Sequence, residues 1–311
     1  MEIGICLEIV RFGNWKLKSL QSEFFIMLKN YLKLAQKEGW AIPQFNFSTL
    51  EQLRTIKNVA KKMRSPVIVG TSEAEANFFG VKEAVAIIKN YQKEGVNIYL
   101  NLDHGRSFEK CKEVIDAGYN SVHFDGSKLN FSENLKITKE VVQYAQKIDS
   151  KISIEGELGV IKSAEAFDKG IDIEITNINE AEEFSTKTGV DRLTISIGTV
   201  HGISTKEQKI DFSVLKEIRK KVEAGLVLHG GSGVNDQDIK KAIKNGIVKI
   251  NINTELRIAF TSGLREVLEK NPKEIKPYNY YTEAIKNTEK VVEQKINLFG
   301  SRGKIKNSEN F

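Results

Sequence analysis

Residues 97–118 read NIYLNLDHGRSFEKCKEVIDAG. A largely apolar run ends on Asp103, His104 and Gly105, and the stretch after it carries apolar residues at helical spacing. A strand feeding a helix is half of a βαβ unit. The same alternation recurs in both directions along the chain. Further strand candidates are AIPQFN (41–46), PVIVGT (66–71), SVHFDG (121–126), KISIEGE (151–157), RLTISIG (192–198), GLVLHG (225–230) and IVKININ (247–253). Each is followed by a stretch that suits a helix, such as NLKITKEVVQYAQK (134–147) and DQDIKKAIKNG (236–246). Near-continuous apolar runs suit buried parallel strands. Eight units, mostly about 20 to 40 residues apart, predict an α/β fold of the (β/α)8 or TIM-barrel type.

The flanks fit around that barrel. Residues 17–38 read as a helix leading into the first strand, and 280–297 as a C-terminal helix. The expected division is an N-terminal helical extension over 1–26, a barrel over 27–303 and a frayed tail over 304–311. The longest gap follows the fifth strand, and residues 158–178 read as a mobile loop over the site.

Bulk properties exclude several classes. The chain has 311 residues, 28% of them charged, and a net charge of +6. No run of 18 apolar residues or signal-peptide core occurs, so the expectation is a cytoplasmic protein with no membrane partner. The lysines are spread through helical stretches such as KNVAKKMR (57–64), without a dense basic block, which argues against nucleic acid. Cys6 and Cys111 form neither a metal pattern nor a disulfide framework.

In such barrels chemistry sits at the C-terminal ends of the strands. Those ends carry Asn46, Ser72, Asp103, His104, Asp125 to Ser127, Glu155, Glu157, His201, His229 and Asn251 to Asn253. Three of the four histidines, His104, His201 and His229, lie at or just past a strand end. Three protein ligands with one open position is the catalytic zinc arrangement. His123 lies within a strand and reads as a packed, hydrogen-bonded residue. GTVHG (198–202), HGGSG (229–233) and NINT (251–254) place glycines and backbone N–H groups where a phosphate would bind.

Eight motifs in order resemble one family: PQFN, SPVI, LDHG, AGYNSVHFDGS, EGELG, GTVHG, LVLHGGSG and KININTELRIAF, from about residue 30 to about 303. The chain resembles the class II, zinc-dependent ketose-bisphosphate aldolases, which include the fructose- and tagatose-bisphosphate enzymes. That resemblance implies His104, His201 and His229 as ligands of a catalytic zinc ion and Asp103 as the acid/base at the C4 hydroxyl. It implies Glu157 as an alternative metal residue, with a second zinc site near it, and Glu165 as the carboxylate that moves the second proton. Gly202, Gly230, Gly231, Ser232, Asn251 and Thr254 would hold a phosphate, and Asn46 and Ser72 would line the sugar pocket. Asn253 would face the C4 hydroxyl, which favours a fructose configuration, and Arg257, one helical turn on, would hold the distal phosphate. The implied substrate is fructose 1,6-bisphosphate and the implied assembly a homodimer or homotetramer. Tagatose bisphosphate, another ketose phosphate, a metal- and sugar-phosphate-binding barrel with little turnover, and a metal-dependent hydrolase stay open as alternatives. Two departures lie near the chemistry: Asn101 where the family usually has histidine, and VIKSAE (160–165) where it usually has a Gly-Gly pair before the acid.

Overall fold

The structure, a computed structural model, describes residues 27–305. Its strands are β1 Ile42–Asn46, β2 Val67–Ser72, β3 Ile98–Gly105, β4 Ser121–Phe124, β5 Ser153–Leu158, β6 Arg192–Ile195, β7 Gly225–Leu228 and β8 Ile247–Ile252. They pair in parallel in chain order, and β8 closes on β1 to give an eight-stranded barrel. The (β/α)8 expectation holds for every strand. Only the ends differ: β3 runs two residues further than the apolar run, while β4, β6 and β7 stop short, at Phe124, Ile195 and Leu228. The residues after those three turn away from the ladder into the loops that build the site.

Local chemistry explains the helices between the strands. The helix Phe108–Ala117 begins at Ser107, whose hydroxyl accepts from Lys110 N, and ends at Gly118 in a left-handed conformation. Leu50–Met63 starts with a complete capping box between Thr49 and Gln52. The apolar faces of these helices meet the outer faces of the strands in one continuous core. Val69, Leu100, Ile154, Leu193 and Ile250 of the strands belong to it with Ile56, Ile115, Val142 and Ile239 of the helices.

The helix Leu28–Glu38 closes the opposite end of the barrel from the site. Leu28, Tyr31, Leu32 and Trp40 form a second buried cluster with Ile42, Ile68, Tyr99 and Val248, which stand first or second in β1, β2, β3 and β8. Met27 caps this helix in an extended conformation, so the helix begins at Leu28. The expected extension over 1–26, with its helical start at 17, lies outside the described residues. The C-terminal helix is Thr282–Leu298, close to the expected 280–297. It crosses helix Thr254–Lys270 at Gly263, where an added Cβ would stand 2.6 Å from the Glu283 backbone oxygen. Lys304 and Ile305, expected in a frayed tail, are tied down: Ile305 N donates to Arg64 O and Lys304 pairs with Glu38. Residues 306–311 lie outside the described residues.

The segment read as a loop over the site carries a short helix, Ala164–Asp168, and is stitched to the chain around His201. Ala164 N donates to His201 O at 2.7 Å, and His201 N donates to Lys162 O at 2.8 Å. Ser204 Oγ donates to Asp168. Among the described residues, no helix is long and apolar enough to cross a membrane.

Candidate active site

Neighbours on a strand face opposite sides, so Asp103 and His104 pose a geometric problem. The chain solves it with a bulge. The β3–β4 register shifts between Leu102 and Gly105, and His104 sits at φ +58°, a left-handed conformation uncommon outside glycine. The extra residue turns both side chains to the mouth of the barrel. His123 holds this turn: its Nδ1 accepts from the backbone N–H of His104 at 3.1 Å.

His104 and His229 are then oriented by carboxylates on their far sides. His104 Nδ1 lies 2.8 Å from Asp125 Oδ2, and His229 Nε2 lies 3.0 Å from Glu155 Oε1. A carboxylate accepts, so these far nitrogens carry the protons and the near ones present lone pairs. The near pair, His104 Nε2 and His229 Nδ1, stand 3.1 Å apart. Two imidazole nitrogens bound tetrahedrally to zinc at about 2.0–2.1 Å stand about 3.3 Å apart. Either a proton or a metal ion has to lie between such lone pairs. Burial opposes a proton on His104, while Asp103 and Asp125 favour one and raise its proton affinity. A bound divalent ion would take the place of that proton.

His201 stands beside this pair, its ring centroid 5.0 Å from that of His104 and 5.8 Å from that of His229. Burial and the adjacent His104 push the His201 pKa down to about 4, so its imidazole is neutral and free to donate a lone pair. Burial likewise lowers His229 well below the usual range, against its bond to Glu155. Nearby, His123 Nε2 and Glu157 Oε2 lie 3.1 Å apart but misaligned, and neither has a hydrogen-bond partner among the described residues. Among the described residues, one group whose donor atoms lie within 4.8 Å of one another is Asp103, His104, His123 and His229, and another is His104, Asp125 and Glu157; His201 belongs to neither. Imidazole nitrogens with carboxylate oxygens suit zinc or a similar divalent ion, so the residues present fit a metal.

Asp103 is fixed by two amides. Asn46 Nδ2 donates to one carboxylate oxygen and Asn251 Nδ2 to the other, each at 2.9 Å. Burial pushes its pKa up, but His104, His123, His229 and Lys249 overcome this and hold it well below the usual carboxylate range. Asn251 Oδ1 is buried with no partner among the described residues, which leaves an acceptor for a ligand.

Under the histidines, the barrel interior holds charges that the sequence reading did not single out. Arg192 of β6 and Lys249 of β8 are fully buried and both bond Glu155 of β5, Arg192 Nε at 2.8 Å and Lys249 Nζ at 2.9 Å. From Arg192 a directional chain leads to the acid/base. Arg192 donates to Ser121 Oγ, which donates to Asn101 Oδ1. Asn101 Nδ2 then donates to Gln44 Oε1, Gln44 Nε2 to Asn46 Oδ1, and Asn46 to Asp103. Asn101, one of the two departures, is thus a link in the scaffold of Asp103. The available signal was a charged residue inside an apolar run, as in RLTISIG and IVKININ. Arg192→Met removes one of two cations from a buried carboxylate, and the expected loss of stability is about 3–5 kcal/mol. Urea denaturation measures it; a loss under about 1 kcal/mol would show that Lys249 alone suffices.

A cavity of about 780 Å³ opens above these residues. Asp103, His104, Glu157 and His201 line it together with Ser72, Gly202, Gly230, Ser232, Asn251, Asn253, Thr254 and Arg257. Gly230 has φ +68°, and an added Cβ would meet the Val200 carbonyl oxygen at 2.3 Å, so only glycine brings this loop against the His201 segment. Gly231 is buried behind the cavity surface, where an added Cβ would meet the Ile250 side chain at 2.6 Å. Asn46 and His229 lie beneath the cavity, Asn46 reaching it through Asp103. Glu165 is not brought to the cluster. Its side chain is 77% exposed and pairs with Lys169, while Ser163 of the same loop lines the cavity. Arg106 and Lys128, not singled out from sequence, line the cavity as well.

A closed parallel barrel whose strand ends bring imidazoles, carboxylates and glycine-rich loops around one cavity has the lining of an enzyme active site with donors that suit a divalent metal. Comparison with known proteins gives the family. Residues 26–304 match the family model of class II fructose-bisphosphate aldolase, and the chain belongs to that family. A fructose-bisphosphate aldolase from Geobacillus stearothermophilus is 39% identical over 286 residues, covering 90% of this chain and 98% of that protein. The crystal structure of the YdjI aldolase from Escherichia coli K12 is 33% identical with a TM-score of 0.78, covering 89% of this chain and 98% of the other. A fructose-bisphosphate aldolase from Campylobacter jejuni, 23% identical with a TM-score of 0.75, covers 89% of this chain and 95% of its own and shares the fold. This chain is therefore a lyase that makes and breaks a carbon–carbon bond in a phosphorylated sugar.

Proposed function

We propose that the chain cleaves fructose 1,6-bisphosphate to glycerone phosphate and glyceraldehyde 3-phosphate, and joins them in the reverse direction, with one zinc ion held by His104, His201 and His229. The observation that carries this reading is the pair of facing lone pairs on His104 and His229, 3.1 Å apart, beside an Asp103 carboxylate held by two amides. When bound, the ion supplies Lewis-acid charge where negative charge develops on the ketone half. Asp103 takes the proton of the C4 hydroxyl as the C3–C4 bond breaks and returns it in synthesis. Asn46 and Asn251 keep that carboxylate ionised and aimed. Glu165 handles the second proton, which requires its pair with Lys169 to open and the loop to turn inward.

The phosphate of the ketone half lies against Gly202, Gly230, Ser232, Asn251 and Thr254, with Gly231 behind them, where Thr254 opens the helix Thr254–Lys270 and its dipole favours an anion. Glu157, with His104 and Asp125, offers a second zinc position. The enzyme works in the cytoplasm as a homodimer or homotetramer. The barrel over 27–303 carries the activity without residues 1–26; loss of turnover in a chain started at Met27 would overturn that division. A coupled assay for triose phosphates, run with and without chelator, tests the main reading. Turnover that survives complete metal removal, or no triose phosphate from the zinc-loaded protein, defeats it.

Asn253 lines the cavity and sets the expected sugar configuration. A substrate of the wrong C4 configuration leaves its amide without a partner, at a cost of about 1–3 kcal/mol. The expected kcat/KM for fructose 1,6-bisphosphate exceeds that for tagatose 1,6-bisphosphate about tenfold or more, and Asn253→Ala reduces the ratio. Equal or reversed preference in the parent protein would reassign the substrate.

A further inference from the structure

Glu75 belongs to the helix Glu73–Phe79 that follows β2, and only 6% of its side chain is exposed. One oxygen accepts from the backbone N–H of Ser72 at 2.8 Å and from Asn46 Nδ2 at 3.1 Å. The other accepts from the Arg257 guanidinium and lies 3.5 Å from Asn253 Nδ2. The Ser72 bond is half of a capping box and would be complete without an arginine. The remaining partners all belong to the substrate side: Asn46 also holds Asp103, while Asn253 and Arg257 line the cavity. Arg257 itself is 56% exposed, so its ion pair with a buried acid lies at the cavity wall.

We propose that Glu75 is a specificity-determining residue that competes with a distal phosphate for Arg257. The inference rests on reading the site as that of a ketose-phosphate aldolase. An anion arriving at Arg257 has to displace Glu75 or share the guanidinium with it at contact distance, and like charges there repel. A distal hydroxyl meets no such penalty, because Glu75 accepts hydrogen bonds and Asn253 both donates and accepts them. The second phosphate therefore contributes little to recognition. Ketose 1-phosphates whose aldehyde half ends in a hydroxyl belong to the substrate class beside the 1,6-bisphosphates.

The test uses the zinc-loaded full chain with fructose 1,6-bisphosphate and fructose 1-phosphate, reading kcat/KM for each and the dissociation constants by calorimetry. In the parent the two sugars are expected to differ by less than about tenfold. Glu75→Gln keeps an acceptor for Ser72 and Asn46 and removes the charge. It should raise the bisphosphate-to-monophosphate ratio about tenfold, as removal of one charge from a close pair does. Glu75→Ala should move the ratio the same way, and Arg257→Met added to Glu75→Gln should cancel the gain. An unchanged ratio in both Glu75 variants, with both sugars still cleaved, overturns the inference alone. So does a parent that prefers the bisphosphate about a thousandfold. A parent that neither binds nor cleaves either sugar overturns the aldolase reading, and this inference with it.

Discussion

His104→Ala, His201→Ala and His229→Ala each yield a folded protein that has lost both bound zinc and aldol cleavage. His104 and His229 are directed to one point by Asp125 and Glu155, and each of these carboxylates would be left without its imidazole partner. Lewis-acid stabilisation of the developing charge is worth several kcal/mol, so turnover should fall by about a thousandfold or more. Metal content by emission spectroscopy, and the visible spectrum after cobalt substitution, read the site independently of activity. The His201 variant is the most informative, because the ring of His201 stands further from His229 than that of His104 does, at 5.8 Å against 4.8 Å. A zinc-loaded, active His201→Ala protein would dismiss the triad. His123→Ala should keep its metal; loss of metal in that variant would place His123, which has a donor atom within 4.8 Å of those of Asp103, His104 and His229, among the ligands.

Asp103→Ala gives the opposite pattern: zinc stays and the rate falls by about 10²–10⁴-fold, the usual contribution of positioned acid–base catalysis. The side chain hangs between Asn46 and Asn251 and does not take part in the His104–His229 pairing. The substitution therefore removes the proton acceptor while leaving the ring nitrogens in place. The loss should appear in kcat, with a smaller change in KM, because the carboxylate acts on a proton that moves only as the bond breaks. Turnover within about tenfold of the parent would move the proton to another group, and loss of zinc in this variant would make Asp103 a structural residue of the metal site.

The barrel was legible because its evidence is local and repeated. Apolar runs of strand length alternate with amphipathic helices, and each unit reads alone. The ends of strands were legible to within a few residues, and with them most residues that line the cavity. Glu165 and the loop over 158–178 read less well, since a loop's path depends on what it is stitched to, here the chain around His201.

The sequence by itself determined the alternation that makes the barrel, the placing of Asp103, His104, His201 and His229 at strand ends, and, through its ordered motifs, the family. Tertiary structure alone decided how Asp103 and His104 face one mouth, because a register shift is a relation between β3 and β4. It also decided that Arg192 and Lys249 share Glu155, and that Glu75 holds Arg257. Glu155 and Lys249 are 94 residues apart, and Glu75 and Arg257 are 182 apart. Periodicity reports which face a residue takes on its own element. Which charge it meets across the barrel is fixed only when closure brings distant strands together in a low-dielectric interior, where each buried charge needs a partner.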